Sequence, residues 1–287
     1  MATNFKSVSN HITSFHGVSL LVTVFLLQFL NYSLEAIKWS QLIRLQYSVG
    51  FLKLVKAVYV GNAISIFTPN RLGSYIGRLI ILKDYPKIFV TATSFLGNLS
   101  QLTLTVFFGV VGFLFFKEES FIIANGWLLL IFSFLTVFFL WVLFKGKSVL
   151  VLFNRFQWYL RYKEELDFLD QVGWKTICKV LFFAFLRYLI FVVEFWLVLM
   201  ACDVAISFFD AIIVCGVVYA VSNFIPSPMM GNLGTRELVV LLVFGGSNME
   251  VNALSASLII WIINVAFPSI LGAFLLNFHK FQNSKNI

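Results

Sequence analysis

Five stretches of this chain, at 17–37, 89–116, 121–144, 176–202 and 252–277, run apolar for about 20 residues or more. Nothing else in the sequence restricts the fold as much. A chain that is 60% hydrophobic and 12% charged cannot cover its apolar area with polar surface in water. In lipid, each backbone polar group must be paired within the protein, which leaves helices or closed barrels. The alternating ten-residue segments of a barrel are missing from the sequence. The expected fold is therefore an all-α polytopic membrane protein, with residues 1–287 forming a single integral membrane domain.

Two further apolar runs are too short to span comfortably. The first, at 55–68, breaks at Thr68-Pro69-Asn70-Arg71-Leu72-Gly73, with Arg78 beyond. The second, at 211–224, breaks at Pro226-Ser227-Pro228 and continues through Leu233-Gly234 to Arg236-Glu237. Pro69 lacks an amide hydrogen and disfavours helix at Thr68, and glycines loosen each restart. Short apolar runs with central breaks predict two re-entrant hairpins, at about 51–85 and 207–246. Three spans separate them, so one is expected to enter from each side of the membrane, as an inverted repeat. Paired interrupted segments of this kind point to a transporter's substrate site.

Charge sets the expected topology. Most of the 21 Lys and Arg residues fall in the segments 38–56, 71–87 and 145–179 and in the C-terminal tail. These read as cytoplasmic. The N-terminus is then outside and the C-terminus inside, with Glu35, Lys38 and Trp39 marking the far end of the first span. The aromatic residues of the 145–175 loop suggest an amphipathic helix on the inner leaflet. A net charge of +8 is explained by topology and by attraction to anionic headgroups, so no nucleic-acid partner is expected. Cys178, Cys202 and Cys215 lie in apolar runs and are expected to be free thiols.

The candidate substrate-binding residues sit at the two breaks: Pro69, Arg71, Gly73 and Arg78 in the first, and Pro228, Gly234, Arg236 and Glu237 in the second. Arginine's planar fork of donors suits a phosphate, and a helix restart offers amides to an anion. The plainer reading is a topology anchor at Arg78, a carbonyl cap at Arg71 and an ion pair at Arg236 and Glu237. Arg187 and Glu194, seven apart on one span, are a possible coupling site or a structural pair. Asn98, Gln101, Asn223 and Asn264 read as interhelical hydrogen bonds. The sequence lacks the spacings for a bound metal, for a serine-type nucleophile or for a phosphate loop, so neither an enzyme nor a cofactor is expected.

With Pro69-Asn70-Arg71-Leu72-Gly73 and Arg78 in one hairpin, and Pro226-x-Pro228 through Leu233-Gly234-x-Arg236-Glu237 in the other, the chain resembles the transmembrane, flippase-like region of lysylphosphatidylglycerol synthases and their stand-alone homologues. That family runs like Thr-Pro-Gly-Arg-x-Gly-Glu-x-x-Arg and Pro-x-Pro-Gly-Gly-x-Gly-x-Arg-Glu. Ser74 stands where a Glu is usual, and Met229-Met230-Gly231-Asn232 where glycines are usual. The resemblance covers about 20–278. The family often has one more N-terminal span, and this chain starts just before the second; no aminoacyl-transferase domain follows Phe278, so lysyl transfer is not expected of this chain.

What the resemblance implies is movement of an anionic or lipid-linked substrate between the leaflets of the cell (inner) membrane. The alternative is a non-transporting partner of a lipid- or envelope-glycan-modifying membrane enzyme.

Overall fold

The computed structural model describes residues 11–69, 72–116, 126–146, 162, 164–225 and 233–284, with side chains through 278. Among the described residues ten helices carry the architecture: α1 (Phe15–Ile43), α2 (Phe51–Ser65), α3 (Gly73–Ile81), α4 (Lys87–Phe115), α5 (Gly126–Phe144), α6 (Trp174–Ala201), α7 (Phe208–Phe224), α8 (Thr235–Phe244), α9 (Glu250–Trp261) and α10 (Phe267–Ser284). The described residues contain no strand. Among the described residues five helical segments are long and apolar enough to cross a membrane: α1, α4, α5, α6, and α9 joined to α10. The chain is an all-α polytopic membrane protein, as composition required. Its outer surface is apolar; Trp127, Leu130, Phe134 and Val137 on α5 are all well exposed, which is the correct arrangement where lipid is the solvent.

The first break does make a helical hairpin. Helices α2 and α3 run antiparallel and touch backbone to backbone. A Cβ on Gly77 would stand 2.5 Å from the Gly61 Cα, and one on Gly61 would stand 2.8 Å from the Ser74 carbonyl oxygen. Small residues permit this approach, and close packing is what joins helices in lipid. Gly77→Val is therefore expected to destabilise the protein by about 1–3 kcal/mol or more. A melting curve of the detergent-extracted protein checks it, with Ser74→Ala in the same helix as the mild control.

The same device recurs elsewhere. Gly109 and Gly112 on α4 meet Ala220, Val217 and the Ile213 carbonyl of α7, while Gly272 of α10 lies against the Tyr59 carbonyl of α2. Helices α7 and α8 form the second short pair. Each pair belongs to its own apolar core. Ala57, Val58, Val60 and Ile81 pack with Trp39, Leu42 and Phe89. Val214, Val218, Val239 and Val240 pack with Val192, Phe195 and Val198.

Two expectations change. Trp39 does not mark the end of the first span, since α1 continues to Ile43. It is fully buried, and its indole N–H donates to Thr93 Oγ1 at 3.2 Å. Lys38 is not a loop charge either: α1 continues to Ile43, and Lys38 has no exposed surface. The described end of the 145–175 loop packs on the protein, and the amphipathic helix expected in that loop falls mostly outside the described residues. Phe168 is fully buried edge-on to Phe89 at 4.9 Å, and the Glu165 carboxylate accepts the Ile88 amide at 3.1 Å, within the first turn of α4.

Just before Pro268, between α9 and α10, the helix makes a π turn at Ile262–Ala266. Pro268 has no amide hydrogen to give the carbonyl four residues back, Asn264. The Tyr32 hydroxyl donates to that oxygen at 3.1 Å instead.

Candidate functional site

At the first break, Thr68 does more than precede a proline. Its hydroxyl donates to the Ser65 carbonyl at 3.2 Å and accepts the Gly73 amide at 2.7 Å. Leu72 donates its amide to Pro69, and Tyr75 to Leu72. The restart was expected to offer amides to an anion, but those of Leu72, Gly73 and Tyr75 are already taken. A Cβ on Gly73 would strike the Ile64 carbonyl oxygen at 2.6 Å, so this glycine is a packing requirement. Pro69 and Gly73 thus shape the turn and Arg78 is what it presents. Arg71 lies outside the described residues.

The second restart is built in a similar way. Gly234 has φ +90°, a conformation that favours glycine, and its amide donates to Glu237 Oε2 at 2.7 Å. Glu237 Oε1 accepts from Arg236 Nη2 at 3.0 Å and from Ser257 Oγ at 2.7 Å. Arg236 also donates from Nε to Ser257 Oγ at 3.0 Å and from Nη2 to the Ser257 carbonyl at 2.6 Å. This ion pair therefore braces α8 against α9. Pro228 lies outside the described residues.

Among the described residues the densest charge cluster centres on Glu35, which the sequence pattern marked only as the end of a span. Glu35 on α1 is buried and meets three cations. Its Oε1 accepts from Arg78 at 2.7 Å, and its Oε2 lies 2.6 Å from Lys38 Nζ and in contact with Arg187 Nη1. Arg78 also lies over the Trp39 ring at 4.6 Å. Arg187 is oriented from three sides: its Nε donates to the Asn31 side chain at 2.9 Å and to the Asn31 carbonyl at 3.2 Å, and its Nη1 to Gln101 Oε1 at 3.1 Å. One carboxylate cannot satisfy so many donors. Arg78 Nε and Nη1 are buried with no hydrogen-bond partner among the described residues. The i,i+3 spacing of Glu35 and Lys38 inside a helix was the one local signal available.

Arg187 and Glu194 share α6 but do not bond to each other. Arg187 goes to Glu35, whereas Glu194 Oε2 accepts from Asn264 Nδ2 at 2.5 Å. Two of the expected interhelical amides do bridge helices. Gln101 ties α4 to α6, and Asn264 ties the π turn to α6. Asn223 bonds within its own helix, to the Tyr219 carbonyl.

These parts converge. A cavity of about 470 Å³ is lined by Glu35 of α1, Arg78 of α3, Asn98 and Gln101 of α4, Arg187 of α6, and Arg236 of α8. Ser74, Tyr75, Ser222, Asn223 and Asn264 add neutral polar groups to its wall, and Leu72 and Phe95 give exposed apolar ones. Both short helix pairs reach it, so Arg78 and Arg236 face one space across the fold. Its described wall carries three arginines against one carboxylate, a formal excess of two positive charges. Among the described residues no cluster of His, Cys, Asp and Glu suits a metal ion.

No curated protein and no solved structure matches this chain. The family model for the lysylphosphatidylglycerol synthase TM region matches residues 1–272, and the chain belongs to that family.

Proposed function

We propose that this protein binds an anionic lipid headgroup in the arginine-lined cavity and passes it between leaflets, as a flippase or scramblase without catalysis. The observation that carries the reading is the convergence of Arg78, Arg187 and Arg236, from three separate helices, on one cavity of about 470 Å³. That size falls within the range of small-molecule sites. Ionisable groups at membrane depth are costly and persist where they serve a substrate path. A phosphate would supply what the site lacks. It would take the unpartnered donors of Arg78 and offset the surplus positive charge, and arginine suits it through paired, charge-assisted hydrogen bonds.

A phospholipid carrying a photoreactive group on its headgroup tests the binding step. After irradiation in liposomes and digestion, adducts are expected on peptides containing the cavity-lining Asn98, Leu102 or Tyr188. Capture there should fall roughly tenfold or more in Arg78→Ala, which removes a bidentate phosphate contact. Adducts confined to outward-facing positions such as Phe134 would overturn the reading. Cavity adducts without lipid movement would favour the alternative role, a partner that presents lipid to a separate membrane enzyme.

A further inference from the structure

We infer that the cavity is selective for a phosphate ester whose remaining headgroup is uncharged and hydroxyl-bearing, of the glycerol or sugar type, and that it turns away headgroups ending in an ammonium. The inference rests on the lipid-binding reading above and adds a substrate class to it. It comes from following each carboxylate to its partners.

An ammonium group needs an acceptor, preferably an ionised one with a lone pair to spare. The described wall has one carboxylate, Glu35, and both its oxygens are taken by Arg78, Lys38 and Arg187. Glu237 is committed to Arg236, Ser257 and the Gly234 amide. Glu194 is fully buried and absent from the described wall; Asn264, which lines the cavity, holds it from the front. The other polar lining groups are neutral hydroxyls and amides, among them Ser74, Tyr75, Asn98, Ser222 and Asn223. Such groups can donate and accept, which suits a polyol. They cannot offset a second cation placed beside three arginines, and like-charge placement in a poorly solvated site is strongly unfavourable. The wall therefore holds an anion-binding half at Arg78 and Arg187 and a hydroxyl-binding half on the neutral side chains.

The test reads binding apart from movement. The purified full-length protein in detergent is melted with short-chain phosphatidylglycerol, phosphatidylethanolamine or lysyl-phosphatidylglycerol. Separate samples receive soluble glycerol 3-phosphate or phosphoethanolamine. Phosphatidylglycerol is expected to bind at least roughly tenfold more tightly than either amine-bearing lipid. Stabilisation by phosphatidylglycerol alone assigns the site to a lipid headgroup; stabilisation by glycerol phosphate alone assigns it to a free phosphate ester. Either result supports the class.

Ser74→Glu puts a carboxylate on the wall one turn before Arg78, at a half-buried position where folding should survive. It is expected to bring the preference close to parity. Equal binding of phosphatidylglycerol and phosphatidylethanolamine by the unaltered protein overturns the inference, and so does an unchanged preference in a folded Ser74→Glu protein. Selective binding without lipid movement would instead sink the flippase reading and leave the substrate class standing.

Discussion

Glu35→Ala is expected to cost the folded protein about 3–5 kcal/mol, the largest stability loss of any single substitution in the cavity wall. The reason lies in what stays behind. Lys38, Arg78 and Arg187 converge on this one carboxylate, and Lys38 and Arg78 are buried. Removing it strands three positive charges within a few ångströms of one another in a poorly solvated interior. Taking away one partner of a buried pair is far worse than exchanging the pair for apolar groups, because the remaining charge stays unpaired. The double variant Glu35→Ala/Lys38→Met should therefore be more stable than Glu35→Ala alone. Melting curves of the extracted proteins decide this. If the double variant is less stable than the single one, Lys38 is not a charge held in place by Glu35. Glu35→Asp keeps the charge on a shorter arm and should fall between.

Arg187→Gln is expected to lower lipid movement by roughly tenfold or more while the fold persists. Arg187 is a cavity cation whose loss leaves Glu35 with two partners, Arg78 and Lys38, so no buried charge is left uncompensated. Arg236 differs. Its Nε and Nη2 are engaged by Ser257 and Glu237, and both it and Glu237 are buried at the start of α8. Arg236→Gln should therefore weaken folding as well as transport. Measuring melting temperature and transport rate on the same preparations separates the two: Arg187→Gln should move the rate far more than the melting point. A large melting-point loss in Arg187→Gln with an unchanged rate per folded molecule would assign Arg187 to structure alone.

Much of the fold was legible because the bilayer leaves few options. The five apolar runs became the five spanning segments, and both breaks fell where proline and glycine put them. The residues around those breaks were legible by type: Arg78 and Arg236 stood out as charges beside interrupted helices, and both line the cavity. What escaped was long-range pairing. Glu35 reaches Arg78 across 43 residues and Arg187 across 152. Local spacing carries no record of such contacts. Lys38 looked like a cytoplasmic loop charge because the apolar run thins out near residue 37, whereas α1 continues to Ile43 and turns that segment inward. Thr68 was legible as a helix end but not as the acceptor of the Gly73 amide that opens the next helix, since that bond depends on how the chain folds back. The Tyr32 bond to the Asn264 carbonyl, which makes up for Pro268, joins α1 to the far end of the chain and could not be read from either segment.

The most direct test of the central claim is lipid movement by the purified protein in liposomes. A phospholipid with a fluorescent acyl chain and an anionic headgroup is placed in both leaflets, and a membrane-impermeant quencher reports how much label reaches the outside. The account expects movement well above protein-free liposomes, lost in Arg78→Ala and Arg187→Gln proteins that still melt cooperatively. Movement that persists unchanged in both folded variants, or a rate no greater than that of empty liposomes for every headgroup tried, would contradict it.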